Sequence, residues 1–171
     1  MWPFRRKKPV APPMPPMASR GEFYADMREM VAMEYDAFQP EHWTDREFAE
    51  LLSHGGVVQI ARRVDAPERI AGYLCASPMR RGWNLRTMSV HPECRRRGVG
   101  RELVSRFQRH ILRGQRLIAD VSELNVDAQL FFKAIGFRVR QVRKKTTTEG
   151  SDLYRFRWDQ GDPTQWDNTT A

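Results

Sequence analysis

The chain has 171 residues, 40% of them hydrophobic and 29% charged, enough apolar material for the core of one ordinary domain and unlike the composition of a disordered chain. Its net charge of +8 and sequence pI near 10.1 call for an anionic partner such as nucleic acid, a membrane surface or a phosphorylated ligand, without choosing among them. No apolar run is long enough to span a bilayer, the basic N-terminus lacks the apolar segment of a signal peptide, and two cysteines, Cys75 and Cys94, make no disulfide framework, so a cytoplasmic protein with reduced thiols is expected.

Residues 1–20 hold six prolines and five basic side chains with no acid, a composition that supports no core and reads as an extended tail. Residues 159–171 are polar and acidic and read as a second tail, which leaves 21–158 as one folded domain with 24 basic against 18 acidic residues. Asp26 with Glu29 opens a helix over 27–38 that gathers Met27, Met30, Val31 and Phe38 on one face; a strand ahead of it, within GEFYA, has only a weak signal. Thr44 and Glu47 form a capping box for a second helix that ends at Gly55-Gly56. VVQIARR (57–63) and IAGYLCA (70–76), joined by the turn signal DAPE, predict an antiparallel hairpin. NLRTMSV (84–90) alternates Leu85, Thr87 and Ser89 against Arg86, Met88 and Val90, a strand that Pro92 stops.

From Val99 the period changes. Leu103, Phe107 and Ile111 recur every four residues beside Val104, with Gly114 in the C′ position of the predicted helix. RLIADV (116–121) follows as a strand, DAQLFFKAI (127–135) as a short helix closed by Gly136, and FRVRQVRK (137–144) and LYRFRW (153–158) flank TTTEG as a terminal hairpin. The order predicts a mixed sheet with helices packed against it. The histidines at 42, 54, 91 and 110 show no ligand spacing, so no metal is expected.

The unusual stretch is HPECRRRGVGRELV, residues 91–104. A strand, a loop of arginines, then Gly98-x-Gly100 opening a helix is a place where backbone N–H groups point outward without helical partners, at the positive end of the macrodipole. The glycines let a ligand approach the backbone, and the arginines supply counter-charge, so phosphate or pyrophosphate is the favoured ligand. The P-loop pattern G-x-x-x-x-G-K-[ST] is absent, and the dinucleotide fingerprint needs glycine or alanine where this chain has Leu103. What remains is R-x-x-G-x-G, residues 95–100.

SVHPECRRRGVGRELV, followed by LIADVSELN and LFFKAIGF, resembles the acetyl-coenzyme A signature of the Gcn5-related N-acetyltransferase (GNAT) superfamily. The resemblance spans about 25–158 and comes closest to the branch that acetylates protein N-termini, the ribosomal-protein alanine acetyltransferases, whose first loop and second helix AFQPEHWTDREF resembles. It implies an α/β fold of mixed α+β type: a central, mostly antiparallel sheet, splayed between the fold's fourth and fifth strands (here 85–90 and 117–121) and flanked by about four helices. It also implies a transferase moving an acetyl group from acetyl-CoA to a primary amine, a peptide N-terminus or a small molecule, by direct attack in a ternary complex.

On this resemblance Met88, Ser89 and Val90 would hold the pantetheine arm, with the Val90 amide polarising the thioester carbonyl as an oxyanion donor. Arg95, Arg96, Arg97, Gly98, Val99, Gly100 and Arg101 would hold the pyrophosphate. Asn125 matches a cofactor-contacting asparagine, and as a helix cap or turn residue it has a second role open to it. Asp120 stands where the family's N-terminal branch carries a glutamate base; one methylene shorter, it would act through water, or else it pairs with an arginine such as Arg138. Phe132 replaces the tyrosine that usually protonates the leaving thiolate, so its ring would only pack beside the cofactor sulfur, and Tyr154, Tyr73 or a water would be the acid. The last turn, RKKTTTEG, lacks the aromatic residues that grip a peptide backbone in that branch, which turns attention to acidic or phosphorylated amines. Cys94, at the edge of the arginine loop, receives no catalytic role. Two alternatives stay open: a catalytically degenerate module that senses acyl-CoA, motivated by Phe132, and weak nucleic-acid or ribosome contact through the basic tail. A monomer or weak homodimer is expected.

Overall fold

The computed structural model describes residues 20–38, 42–112, 114–144 and 150–161, with side chains from residue 25 onward. All of the basic N-terminal tail but Arg20, most of the TTTEG turn and most of the acidic C-terminal segment lie outside the described residues. Helix α1 (Arg20–Ala37) begins earlier than the periodicity indicated and absorbs GEFYA, so the weakly signalled strand there is not formed. That segment carries no β-branched residue, and the turn that follows it is anchored by Asp26, whose carboxylate takes both guanidinium nitrogens of Arg62 at 2.6 and 2.7 Å. Helix α2 (Asp45–Ser53) starts at Thr44 as expected, the Thr44 N–H donating to the Glu47 carboxylate at 2.8 Å.

Strands β1 (Val57–Arg62), β2 (Ile70–Met79) and β3 (Gly82–Val90) form an antiparallel meander. Strand β2 runs three residues past its expected end and includes Pro78, which lies opposite Trp83 at the end of the hairpin, where a missing N–H interrupts little of the ladder. A bulge in β3 changes the alternation read from the sequence. Register slips between Cys75–Thr87 and Ala76–Leu85, so Leu85 joins the core under the following helix, whereas Thr87 turns to the opposite face and donates to Glu34 of α1.

Helix α3 (Val99–Arg109) buries Leu103, Val104 and Phe107 as its period requires. It ends at His110, and Gly114, with φ of 81°, belongs to the connection beyond. Strand β4 (Arg116–Ser122), helix α4 (Val126–Ala134), strand β5 (Arg138–Arg143) and strand β6 (Leu153–Asp159) complete the chain. The sheet order is β1-β2-β3-β4-β6-β5, with β3 and β4 the parallel pair that α3 connects. This is the mixed, mostly antiparallel sheet with four helices that was expected.

The core has two parts, one on each face of the sheet. Leu74, Leu85, Leu103, Phe107, Leu117, Phe132, Phe156 and their neighbours fill the face under α3 and α4. Met27, Met30, Met33, Phe48, Leu51, Ile70, Tyr73 and Cys75 fill the other, under α1 and α2. Gly72 makes the first possible at close range, because a Cβ there would stand 2.9 Å from the Ser89 carbonyl and 3.3 Å from Leu103 of α3.

Candidate functional site

The β3–β4 ladder joins Gly82 to Arg116 and ends at Leu85 and Ala119. Strand β3 goes on to Val90, still paired with β2, and β4 goes on to Ser122, still paired with β6. The two strands therefore part company while each keeps its other neighbour, and the sheet opens between Arg86 to Val90 on one side and Asp120 to Ser122 on the other. Along β3 the His91 N–H bonds back to Ala71 of β2 at 2.9 Å, and because successive peptide groups point to opposite edges, the N–H of Val90 faces the opening, as does that of Met88. On the other side the Glu123 N–H bonds to Asp152 at 2.9 Å, which by the same alternation turns the peptide groups of Asp120 and Ser122 toward the opening. Both edges thus offer backbone donors and acceptors to an extended ligand.

At the end of β3 the chain makes a short 3-10 turn, Pro92–Cys94, and then the arginine loop. Arg96 has φ of 61° and Gly98 φ of 87°, so two left-handed residues two apart fold the loop back into the start of α3. No heavy atom lies within 4 Å of where a Gly98 Cβ would be, so the backbone there is open to a ligand. The first helical bond runs from the Glu102 N–H to the Gly98 carbonyl at 2.9 Å, leaving the N–H groups of Val99, Gly100 and Arg101 ahead of it without a helical acceptor. Gly100 also admits the Phe131 ring, 3.3 Å from the place a Cβ would take. Arg95 Nε donates to the Val90 carbonyl at 3.1 Å, and Glu93 holds Arg63 at 2.9 Å, so the loop is fastened at its base. Among the described residues Arg96, Arg97 and Arg101 hold no salt bridge.

The side chains proposed from the sequence fall on both faces. Asp120 is paired not with Arg138 but with its cross-strand neighbour Arg155, whose Nε and terminal nitrogen reach its two oxygens at 2.8 and 2.7 Å. Arg143 approaches the same carboxylate at 3.4 Å. The Arg155 guanidinium is pushed above its ordinary pKa chiefly by this hydrogen bond. Asn125 is the N-cap of α4, its Oδ1 accepting the Ala128 N–H at 3.0 Å. Phe132 is buried in an aromatic cluster, its ring centroid 5.0 Å from Phe137 and 5.8 Å from Phe156. Tyr154 packs half-buried against the larger core that includes Phe132. Ser89 is buried, and Met88 packs on the α3 side.

Sequence reasoning missed Glu34. This carboxylate is 1% exposed, accepts the hydroxyls of both Tyr73 and Thr87, and accepts the Trp43 N–H at 3.2 Å. It ties α1 and the segment before α2 to β2 and β3 beside the opening. Burial first, and the Glu34 charge second, push the Tyr73 phenol far above its ordinary value, so among the three acids considered for the thiolate Tyr73 is already committed to this network. A signal existed: position 34 falls on the α1 face that carries Met27, Met30 and Val31.

Residues 24–137 match the family model described as the Acetyltransferase (GNAT) family. Among solved structures, the ribosomal-protein-S18-alanine N-acetyltransferase from Escherichia coli superposes with a TM-score of 0.66 at 19% identity, over 77% of this chain and 86% of that one. Arabidopsis thaliana NAA60 in complex with acetyl-CoA gives 0.67 at 17% identity, over 79% and 94%. An aminoglycoside 6'-N-acetyltransferase complexed with coenzyme A gives 0.65 at 13% identity, over 77% and 89%. No curated protein matches. At these identities the structural likeness is one of fold.

Proposed function

The chain belongs to the GNAT acetyltransferase family, and on that premise we propose that it transfers an acetyl group from acetyl-CoA to a primary amine, a protein N-terminus or a small molecule, by direct attack in a ternary complex. The observation that carries this reading is the opening between β3 and β4 with unpaired amides at its mouth. A pantetheine arm carries amide groups that pair with strand edges, so it fits between Met88, Ser89 and Val90 on one side and β4 on the other. The pyrophosphate fits the N–H groups of Gly98, Val99, Gly100 and Arg101 with the guanidiniums of Arg95, Arg96, Arg97 and Arg101 around them. Asn125 and Phe132 stand on α4, on the far side of the opening.

In this reading the amine attacks the thioester carbonyl as a neutral base, a C–N bond forms, and the C–S bond breaks. The Val90 N–H meets the charge that develops on the carbonyl oxygen. Asp120 accepts the amine proton through a water: a carboxylate offers about four lone-pair positions, and Arg155 and Arg143 occupy three. Tyr154 protonates the departing thiolate; its contact with the core that includes Phe132 supports the assignment. A thiol-release assay against peptides, polyamines and aminoglycosides tests the proposal. Turnover with at least one class is expected; none, with acetyl-CoA bound tightly, overturns it.

A second reading rests on a separate observation. Phe132 has no proton to give and Asp120 is held by two guanidiniums, as suits a module that binds acyl-CoA and signals to a partner. Phe132→Tyr separates the two. General acid catalysis contributes roughly 10²- to 10⁴-fold, so a large gain in rate marks an impaired enzyme, and no activity in either form marks a sensor.

A further inference from the structure

We infer that the sheet face beside the opening selects an anionic acceptor, a peptide whose amino group is followed within a few residues by carboxylate side chains; this rests on the acetyl-transfer reading above and names its substrate class. Leu117, Ala119, Val121, Phe156 and Trp158 fill the core under α3 and α4. Strand alternation therefore turns Ile118, Asp120, Arg155 and Arg157 to the opposite face. Register sets Arg155 beside Asp120 and sets Arg138 directly opposite Arg157, and residues directly opposite share a face. Arg143 joins them through its 3.4 Å approach to Asp120. Four guanidiniums thus share this face with the carboxylates of Asp120 and Asp159, the latter held by Arg157.

The helices that pack on this side make their main contacts with β1, β2 and β3. Solvent reaches the row beyond them, the side chains of Arg155, Arg157 and Arg143 being 30%, 36% and 42% accessible. Arg155 and Arg157 spend only part of their five N–H donors on Asp120 and Asp159, which leaves donors on this face for an incoming carboxylate. Strands β6 and β5 lie one and two places from β4, so the row stands about 5 to 10 Å from the opening. An extended peptide advances about 3.4 Å per residue, which puts the recognised side chains two to four positions along from the reacting amine. The Arg155–Asp120 pair already has the forked geometry in which arginine grips a carboxylate. Asp120 and Asp159, set among the arginines, favour discrete carboxylates over the unbroken phosphate chain of a nucleic acid.

The test uses the full chain, acetyl-CoA and three peptides of equal length and identical first residue, with glutamate, glutamine or lysine at positions two to four. Two exposed ion pairs together give about tenfold, so kcat/KM by thiol release is expected to fall about tenfold from the acidic peptide to the neutral one, and further to the basic one. Raising the salt should narrow the gap. Equal rates, or a preference for lysine, overturn the inference and leave acetyl transfer standing. No thiol release from any of the three, with calorimetry showing acetyl-CoA and the acidic peptide both bound, overturns the transfer reading and supports the anionic preference. A phosphoserine peptide outpacing the glutamate one, or competition by single-stranded RNA stronger than by the acidic peptide, overturns the choice of carboxylate. Arg138→Glu with Arg157→Glu should reverse the order of the three peptides. Arg138→Gln with Arg157→Gln, which should merely flatten it, keeps the test open if the reversal fails to fold.

Discussion

Glu34 carries more of the architecture than its place in a methionine-rich helix suggests. A buried carboxylate is costly unless its oxygens are satisfied, and this one has the Tyr73 and Thr87 hydroxyls and the Trp43 amide. Replacing it with alanine strands two buried hydroxyls, so Glu34→Ala should lower stability by about 1–3 kcal/mol, read from the urea midpoint; an unchanged midpoint would show the network idle. Tyr73 adds a pH dependence with a definite sign. Its folded pKa is raised above the ordinary 10.0, so its contribution is fully present below that value. Above it the unfolded chain loses a proton that the folded chain keeps, and stability falls as pH rises. Cys75, raised from 9.0 by burial first and Glu34 second, acts in the same direction. Tyr73→Phe should flatten the alkaline slope of stability between about pH 10 and 11, leaving the part that Cys75 supplies.

Helix α2 and the bulge in β3 show what a single element contributes. The capping box at Thr44 satisfies donors that the first turn leaves open, and Thr44→Ala should cost about 1 kcal/mol. The same box lowers the Glu47 carboxyl below its ordinary 4.5, the Thr44 side chain being the largest cause. A depressed acid contributes stability above its unfolded pKa and loses it as pH falls through the lower folded one. The difference between the native chain and Glu47→Ala should therefore be present at neutral pH and shrink below pH 4.5; a difference that persists undiminished in acid would assign it to helix propensity. In β3 the extra residue sends Leu85 into one core and Thr87 toward the other, the place where the strand begins to leave β4.

Across the whole molecule the turn into α3 and the opening lie along β3 and β4, and the basic face lies beyond them over β6 and β5. Arg97→Ala with Gly98→Asp removes a guanidinium and places a carboxylate on a residue at φ of 87°, against incoming phosphate; acetyl-CoA affinity by calorimetry should fall at least about tenfold. Unchanged affinity would remove that turn from the site. The charge of +8 also calls for a test at this scale. Deleting residues 1–20 should abolish salt-sensitive RNA binding if the basic tail carries it; unchanged RNA affinity would assign it to the folded domain.

The chain by itself determined the order and type of its elements, the arginine-glycine turn into α3, and the family. Capping boxes, glycine stops and the change of period from two to 3.6 are short-range signals, written within a few residues of what they direct. Through the family resemblance it named β3 and β4 as the strands that splay, but it did not determine that they part after Leu85 and Ala119, because both strands read as continuous and the parting depends on each keeping its other neighbour. Nor could it show that Asp120 belongs to Arg155, 35 residues away across a ladder that places β6 between β4 and β5. Glu34 was visible as a position on an apolar face but not as the acceptor of two strands and a loop. Those partners meet only when register is set by packing on both faces of the sheet, and register is a property of the folded whole.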